Sequence, residues 1–126
     1  MPKLFAWLTR DVQFLYSDDV GDLKQYASPS APAFPVPPGT IVGASTRPGD
    51  EERLVGAWSR LAAPRPKLVL APRHLDRTKS ILRLLRAHRV GLRSRGFQDQ
   101  DDIWLLDALG ELAGVVAVAH IVMIGG

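Results

Sequence analysis

The chain has 126 residues, 46% apolar and 23% charged, which is the balance of one folded globular domain rather than of a disordered segment. It contains no cysteine, which excludes a disulfide scaffold, a thiolate metal site and a cysteine nucleophile, and which fits a reducing cytoplasm. The net charge of +3 is unevenly spread: residues 53–95 carry twelve Lys and Arg against Asp76 alone, whereas residues 96–126 carry five acids and no Lys or Arg. Such a basic block favours an anionic partner (a phosphate, a nucleotide, a nucleic acid or an acidic membrane surface), unless its charges form a solvated face balanced by nearby acids.

Residues 4–8 and 12–16 are short apolar stretches that fit either a strand or a helical turn. Residues 28–39 contain five prolines, which forbid a helix or a central strand and predict an extended linker of polyproline type. This divides the chain into an N-terminal arm with linker, 1–39, and a compact domain, 40–126. The arm contains Leu4, Phe5, Trp7, Leu8, Phe14 and Leu15, apolar material without a place in the domain. A homodimer is therefore expected in which residues 1–20 pack on a partner chain.

Within the domain the pattern alternates. Residues 41–45 read as a buried strand, and residues 46–49 as a turn. Asp50, Glu51 and Glu52 supply acids to the first turn of a helix whose apolar stripe is Leu54, Val55, Trp58, Leu61 and Ala62, with Pro64 and Pro66 beyond its end. Residues 67–71 form a second buried strand. The next helix spans 75–88, with Thr78, Ile81, Leu82 and Leu85 on one face and Lys79, Arg83 and Arg86 on another. A weaker, half-exposed strand at 89–94, a strand at 102–106, a largely buried helix at 109–119 and a strand at 121–124 complete the series. This order predicts an α/β fold: a doubly wound, mostly parallel, Rossmann-like sheet with strand order 3-2-1-4-5. Ligands of such sheets sit at the C-terminal ends of the strands.

The common fingerprints are missing: there is no Gly-x-Gly-x-x-Gly, Walker loop or Gly-x-Ser-x-Gly, and His74, His88 and His120 lack metal-ligand spacing. The candidates are strand-end residues. Ser45 and Thr46 precede a helix N-terminus, where free amides attract anions, or where Thr46 or Asp50 simply caps the helix. Arg73 and His74 follow a buried strand; an arginine there pairs with a phosphate or stands exposed in solvent. Gly110 allows close backbone approach to a ligand, beside Glu111, which also suits a helix start electrostatically.

Taken in order, these pieces resemble the 3-deoxy-D-manno-octulosonic acid (Kdo) transferase family. Gly21-Asp22-Leu23-Lys24-Gln25-Tyr26 is similar to that family's Gly-Asn-Leu-Lys-Phe/Tyr. Ala44-Ser45-Thr46-Arg47-Pro48-Gly49-Asp50-Glu51-Glu52 resembles Ala-Ser-Thr-x-x-Gly-Glu-Glu-Glu, and Pro72-Arg73-His74-Leu75-Asp76-Arg77 resembles Pro-Arg-His-Pro-Glu-Arg. Arg93-Ser94 is similar to Arg-Arg-Ser, Asp107-Ala108-Leu109-Gly110-Glu111-Leu112 to Asp-Thr-Met-Gly-Glu-Leu, and Met123-Ile124-Gly125-Gly126 to Phe-Val-Gly-Gly. Ala108, Leu109, Val116 and His120 depart from the family's Thr, Met, Tyr and Asp.

The resemblance spans roughly residues 20–126. It implies the start of the C-terminal half of a two-domain glycosyltransferase of lipopolysaccharide synthesis, a truncated domain without the acceptor-binding half and its catalytic carboxylate. On that reading the chain binds a CMP-activated sugar donor (CMP-Kdo) without metal or other cofactor and is not active alone. It would act in the cytoplasm, at the periphery of the inner membrane. Ser45, Thr46, Arg73, His74, Gly110 and Glu111 would be its substrate-binding residues, and no residue would be catalytic. The alternatives are a non-catalytic interaction module, or a binder of nucleic acid or acidic membrane through the basic 53–95 block.

Overall fold

The structure is a computed structural model that describes residues 4–8, 13–16 and 31–125. The motif at residues 21–26, the first part of the proline-rich segment and Gly126 lie outside the described residues.

Five parallel strands form the centre: β3 (Ile41–Thr46), β4 (Leu68–Pro72), β5 (Val90–Leu92), β6 (Ile103–Leu105) and β7 (Ile121–Gly125). They follow two shorter strands, β1 (Leu4–Leu8) and β2 (Gln13–Tyr16). Three helices join them: α1 (Asp50–Ser59), α2 (Thr78–Leu84) and α3 (Leu112–Val118). The sheet is therefore covered on both faces, which is why its central strands read as continuous apolar runs rather than alternating ones. Leu54, Val55 and Trp58 of α1 and Ile81 and Leu85 of the α2 region pack with Leu68, Leu70 and Leu105 on one face. Val115 and Val116 of α3 pack with Val42, Val69, Trp104 and Val122 on the other. The α/β, doubly wound, Rossmann-like class read from the sequence is the class observed.

The strand order is not the expected one. The sheet runs β2-β1-β7-β3-β4-β6-β5, so the parallel core has order 5-1-2-4-3 rather than 3-2-1-4-5. The difference is the place of β6: expected between β3 and β7, it lies between β4 and β5, so that β7 pairs directly with β3. All three residues of β6 are buried, which suits either interior place, and β5, whose Val90 and Leu92 are only half-buried, is an edge strand in both orders. The β5–β6 connection is a 3₁₀ turn (Arg93–Arg95) and a loop, and in it Phe97 stacks on Trp104 with ring centroids 4.5 Å apart.

The arm also differs from expectation. β1 pairs in parallel with β7, from Leu4 beside Ile121 to Leu8 beside Gly125, and β2 pairs antiparallel with β1. These strands extend the chain's own sheet across the boundary expected at residue 40. The homodimer through residues 1–20 was inferred because that material lacked a place in the domain, and this pairing removes the ground for it.

The proline-rich segment does not stand away from the domain either. Phe34 and Val36 pack against the core, and a Cβ at Gly114 of α3 would lie 2.6 Å from the Ala31 carbonyl oxygen. Helix ends shift as well. α1 stops at Ser59 instead of continuing to Ala62, with Leu61 exposed and the Trp58 indole N–H donated to the Pro66 carbonyl at 2.8 Å. The segment 75–88 divides into a 3₁₀ turn (Leu75–Arg77), α2 and further turns. α3 starts only at Leu112: Gly110 has φ +90°, which interrupts any helix, and Leu109 is 85% exposed rather than buried.

Candidate functional site

The parallel strands end on one side of the sheet, where a cleft of about 460 Å³ opens. Ser45 contributes from the end of β3, Arg73 and His74 from the loop after β4, and Ala108, Leu109 and Gly110 from the loop after β6. Four of the six sequence-derived candidates, Ser45, Arg73, His74 and Gly110, thus line one concavity. Thr46 and Glu111 do not.

Ser45 owes its place to a bulge. The β3–β4 register shifts between Ala44 and Thr46, and Ser45 sits there at φ +53°, a left-handed conformation uncommon for serine. A bulge at a strand end redirects one side chain out of the pleat. Beside it, Gly125 of β7 has no room for a side chain. A Cβ there would stand 2.7 Å from Asp50 Oδ2 and 2.9 Å from Thr46 Cα, and would strike the Ser45 carbonyl oxygen.

Thr46, one residue on, turns inward. It is fully buried, and its hydroxyl has no hydrogen-bond partner among the described residues. Its contribution is through the backbone: the Thr46 carbonyl accepts from Arg73 N–H at 2.9 Å, which ties the end of β3 to the arginine loop. The turn that follows is closed by the chain's own carboxylate. Asp50 Oδ2 accepts from the Arg47 N–H at 2.9 Å, and Oδ1 from Arg53 Nη2 at 2.7 Å.

The Arg73 loop has a second anchor that sequence reasoning missed. Glu51 is completely buried, and Arg77 donates to both its oxygens, Nη2 to Oε1 at 2.7 Å and Nη1 to Oε2 at 3.0 Å. This forked pair joins α1 to the turn just after Arg73 and His74. The hydrogen bond to Glu51 raises the Arg77 pKa above its ordinary value, although burial opposes it. The signal was present in the helical period: Glu51 precedes Leu54, Val55 and Trp58 by three, four and seven residues, so it belongs to the buried stripe.

The opposite wall is held by other ties. Arg93 Nε donates to Glu111 Oε2 at 2.6 Å, the hydrogen bond that raises the Arg93 pKa. Ser94 donates to Asp107 twice, N–H to Oδ1 at 2.8 Å and hydroxyl to Oδ2 at 2.5 Å. Glu111 is therefore engaged by Arg93 and does not line the cleft.

The basic block is not one face. Arg53, Arg65, Lys67, Arg77 and Arg93 are engaged by the chain's own groups. Lys79 and Arg83 of α2 and Arg86 of the turn after it are exposed. Arg73 is exposed beside the cleft, its guanidinium without a hydrogen bond or ion pair among the described residues. A second depression, about 260 Å³, is lined by Trp58, Lys67 and residues 99–102. The Lys67 ammonium already donates there to the carbonyls of Asp99 and Asp101, and none of the candidates is near it. No group of three or more His, Asp or Glu is placed to hold a metal among the described residues. No helix among them is long and apolar enough to cross a membrane.

The five central strands, the helices on both faces and the strand-end cleft define a Rossmann-like α/β domain. In agreement, the chain is similar to the crystal structure of the C-terminal CMP-Kdo binding domain of WaaA from Acinetobacter baumannii, with TM-score 0.60 and 20% identity over 70% of this chain and 49% of that one. No protein-family model matches the chain. Among curated proteins it is 35% identical over 92 residues to the 3-deoxy-D-manno-octulosonic acid transferase of Rickettsia typhi and 34% identical to that of Rickettsia felis. Each match takes in 68% of this chain and 20% of the relative, so the chain spans about a fifth of the length of the proteins it matches. Over that portion its sequence is related to the 3-deoxy-D-manno-octulosonic acid transferases.

Proposed function

We propose that this chain is the nucleotide-sugar-binding part of a Kdo-type glycosyltransferase and that its strand-end cleft takes a CMP-activated sugar, CMP-Kdo. The observation that carries the reading is the meeting of Ser45, Arg73, His74 and Gly110 at the carboxyl ends of β3, β4 and β6, where open α/β sheets bind ligands. The likeness to the CMP-Kdo binding domain from Acinetobacter baumannii and the kinship with the transferases support the choice of ligand.

In this reading each group has a separate task. The exposed Arg73 guanidinium offsets phosphate charge and offers two parallel N–H donors to its oxygens. Ser45, at the bulge, brings a polar residue to the cleft. Gly110 lets the backbone approach the nucleotide, and the apolar side chains of Ala108 and Leu109 cover its flat face. Donor binding orients the activated sugar; bond transfer needs an acceptor and a general base beyond the six candidate residues.

Titration of the chain with CMP, followed by amide chemical shifts, tests this. Shifts are expected at Ser45, Arg73 and residues 108–110, and Arg73→Ala is expected to weaken binding about tenfold, the loss of one charge-assisted contact. Absence of any change at millimolar CMP, or changes confined to the depression around Lys67, would refute it.

A further inference from the structure

The cleft's outer wall is a loop without regular structure, residues 107–111, that carries Gly110 at φ +90° and a Leu109 that is 85% exposed. A loop so exposed has few contacts of its own to keep one shape. Its two ends are nevertheless tied to the same short element, the 3₁₀ turn Arg93–Arg95: Asp107 receives both Ser94 donors, and Glu111 receives Arg93 Nε.

The turn itself rests on the proline-rich segment. The Arg93 guanidinium lies over the Phe34 ring at 4.9 Å, and Phe34 meets Phe97 edge-on at 5.0 Å and Trp104 at 5.9 Å. One guanidinium therefore has an aromatic ring beneath it and a carboxylate on its Nε, a pairing that suits the planar, delocalised arginine better than lysine.

We infer that Arg93 is a positioning residue for the cleft: seated on Phe34, it holds the 107–111 rim in shape through Glu111 and so sets how well the cleft takes its ligand. Arg93 touches no ligand in this scheme; it acts through the loop. The part concerning affinity rests on the CMP reading above, whereas the part concerning rim order does not.

The two parts are measured separately. In the ligand-free chain, amide hydrogen exchange at Ala108, Leu109 and Gly110 is expected to accelerate about tenfold in Arg93→Ala, while Val42 and Val69 in the core exchange as before. CMP binding is expected to weaken about fivefold to tenfold, the range for a residue that couples to a site without touching it. Arg93→Lys, which keeps the charge but not the planar face and fixed Nε donor, is expected to recover only part of each loss. If Arg93→Ala folds poorly, Glu111→Gln, which keeps the side-chain size, is expected to show the same rim exchange pattern. Rim amides that exchange at wild-type rates in Arg93→Ala and Glu111→Gln would overturn the proposal. A wild-type chain that ignores CMP but whose rim loosens in Arg93→Ala would overturn the ligand reading and leave the positioning role intact.

Discussion

The two walls of the cleft are built on different physical terms. The inner wall, formed by the ends of β3 and β4, is held by a forked ion pair whose carboxylate is wholly buried, by the Thr46–Arg73 backbone bond and by the tight approach of Gly125. The outer wall, residues 107–111, is held by half-exposed polar ties to the 3₁₀ turn at Arg93–Arg95. Partners in water add little net stability and are screened by salt, whereas a buried pair cannot lose one member without stranding the other. The inner wall is thus part of the fold, and the outer wall is an attachment that can be altered with the fold left standing.

Breaking the inner wall should have the largest consequence. Arg77→Ala leaves Glu51 buried without its partner, and is expected to lower unfolding free energy by about 3–5 kcal/mol in urea denaturation. Arg93→Ala should leave the urea midpoint near that of the wild type, and equal losses for the two variants would erase the distinction between the walls. Next is Gly125→Ala. The added methyl meets backbone on one side and the Asp50 carboxylate on the other, so a loss of about 1–3 kcal/mol is expected. Gly56→Ala, where nothing lies within 4 Å, is the matched control and should gain roughly 0.5–1 kcal/mol from helix propensity. A stabilising effect of similar small size is expected at a buried hydroxyl. Thr46→Val removes a buried hydroxyl that has no partner among the described residues, and should stabilise the chain by about 1 kcal/mol. A destabilised Thr46→Val chain would mean that this hydroxyl is used.

The sequence revealed the α/β class because apolar period and turn residues agree over residues 41–72 and again at 103–106 and 121–124. It could not reveal the strand order. An all-apolar strand such as β6 fits between β3 and β7 as well as between β4 and β5, so its composition marks it as interior without saying which neighbours it takes. The candidate site was legible where it depended on strand ends, as with Ser45, Arg73, His74 and Gly110. It was not legible where one residue's place decided: Ser45 at the bulge lines the cleft while Thr46 beside it is buried, and Glu111 turns to Arg93. The ties Glu51–Arg77 and Arg93–Glu111 join residues 26 and 18 positions apart, beyond the reach of any local pattern, although the stripe position of Glu51 pointed to its burial.

The edge strand β5 has a consequence for self-association. A sheet's last strand presents unpaired backbone groups on which another chain can continue the sheet, a route to aggregates. β5 is only three residues long, Arg89 and Arg93 flank it, and it passes directly into a 3₁₀ turn. Its central Gly91 is overlain by the Asp101 carboxylate, whose Cγ would stand 2.8 Å from a side chain placed there. Short length, flanking positive charge and a covering acid leave little template for a neighbouring molecule, so the weakest strand of the sheet also guards its border against unwanted growth.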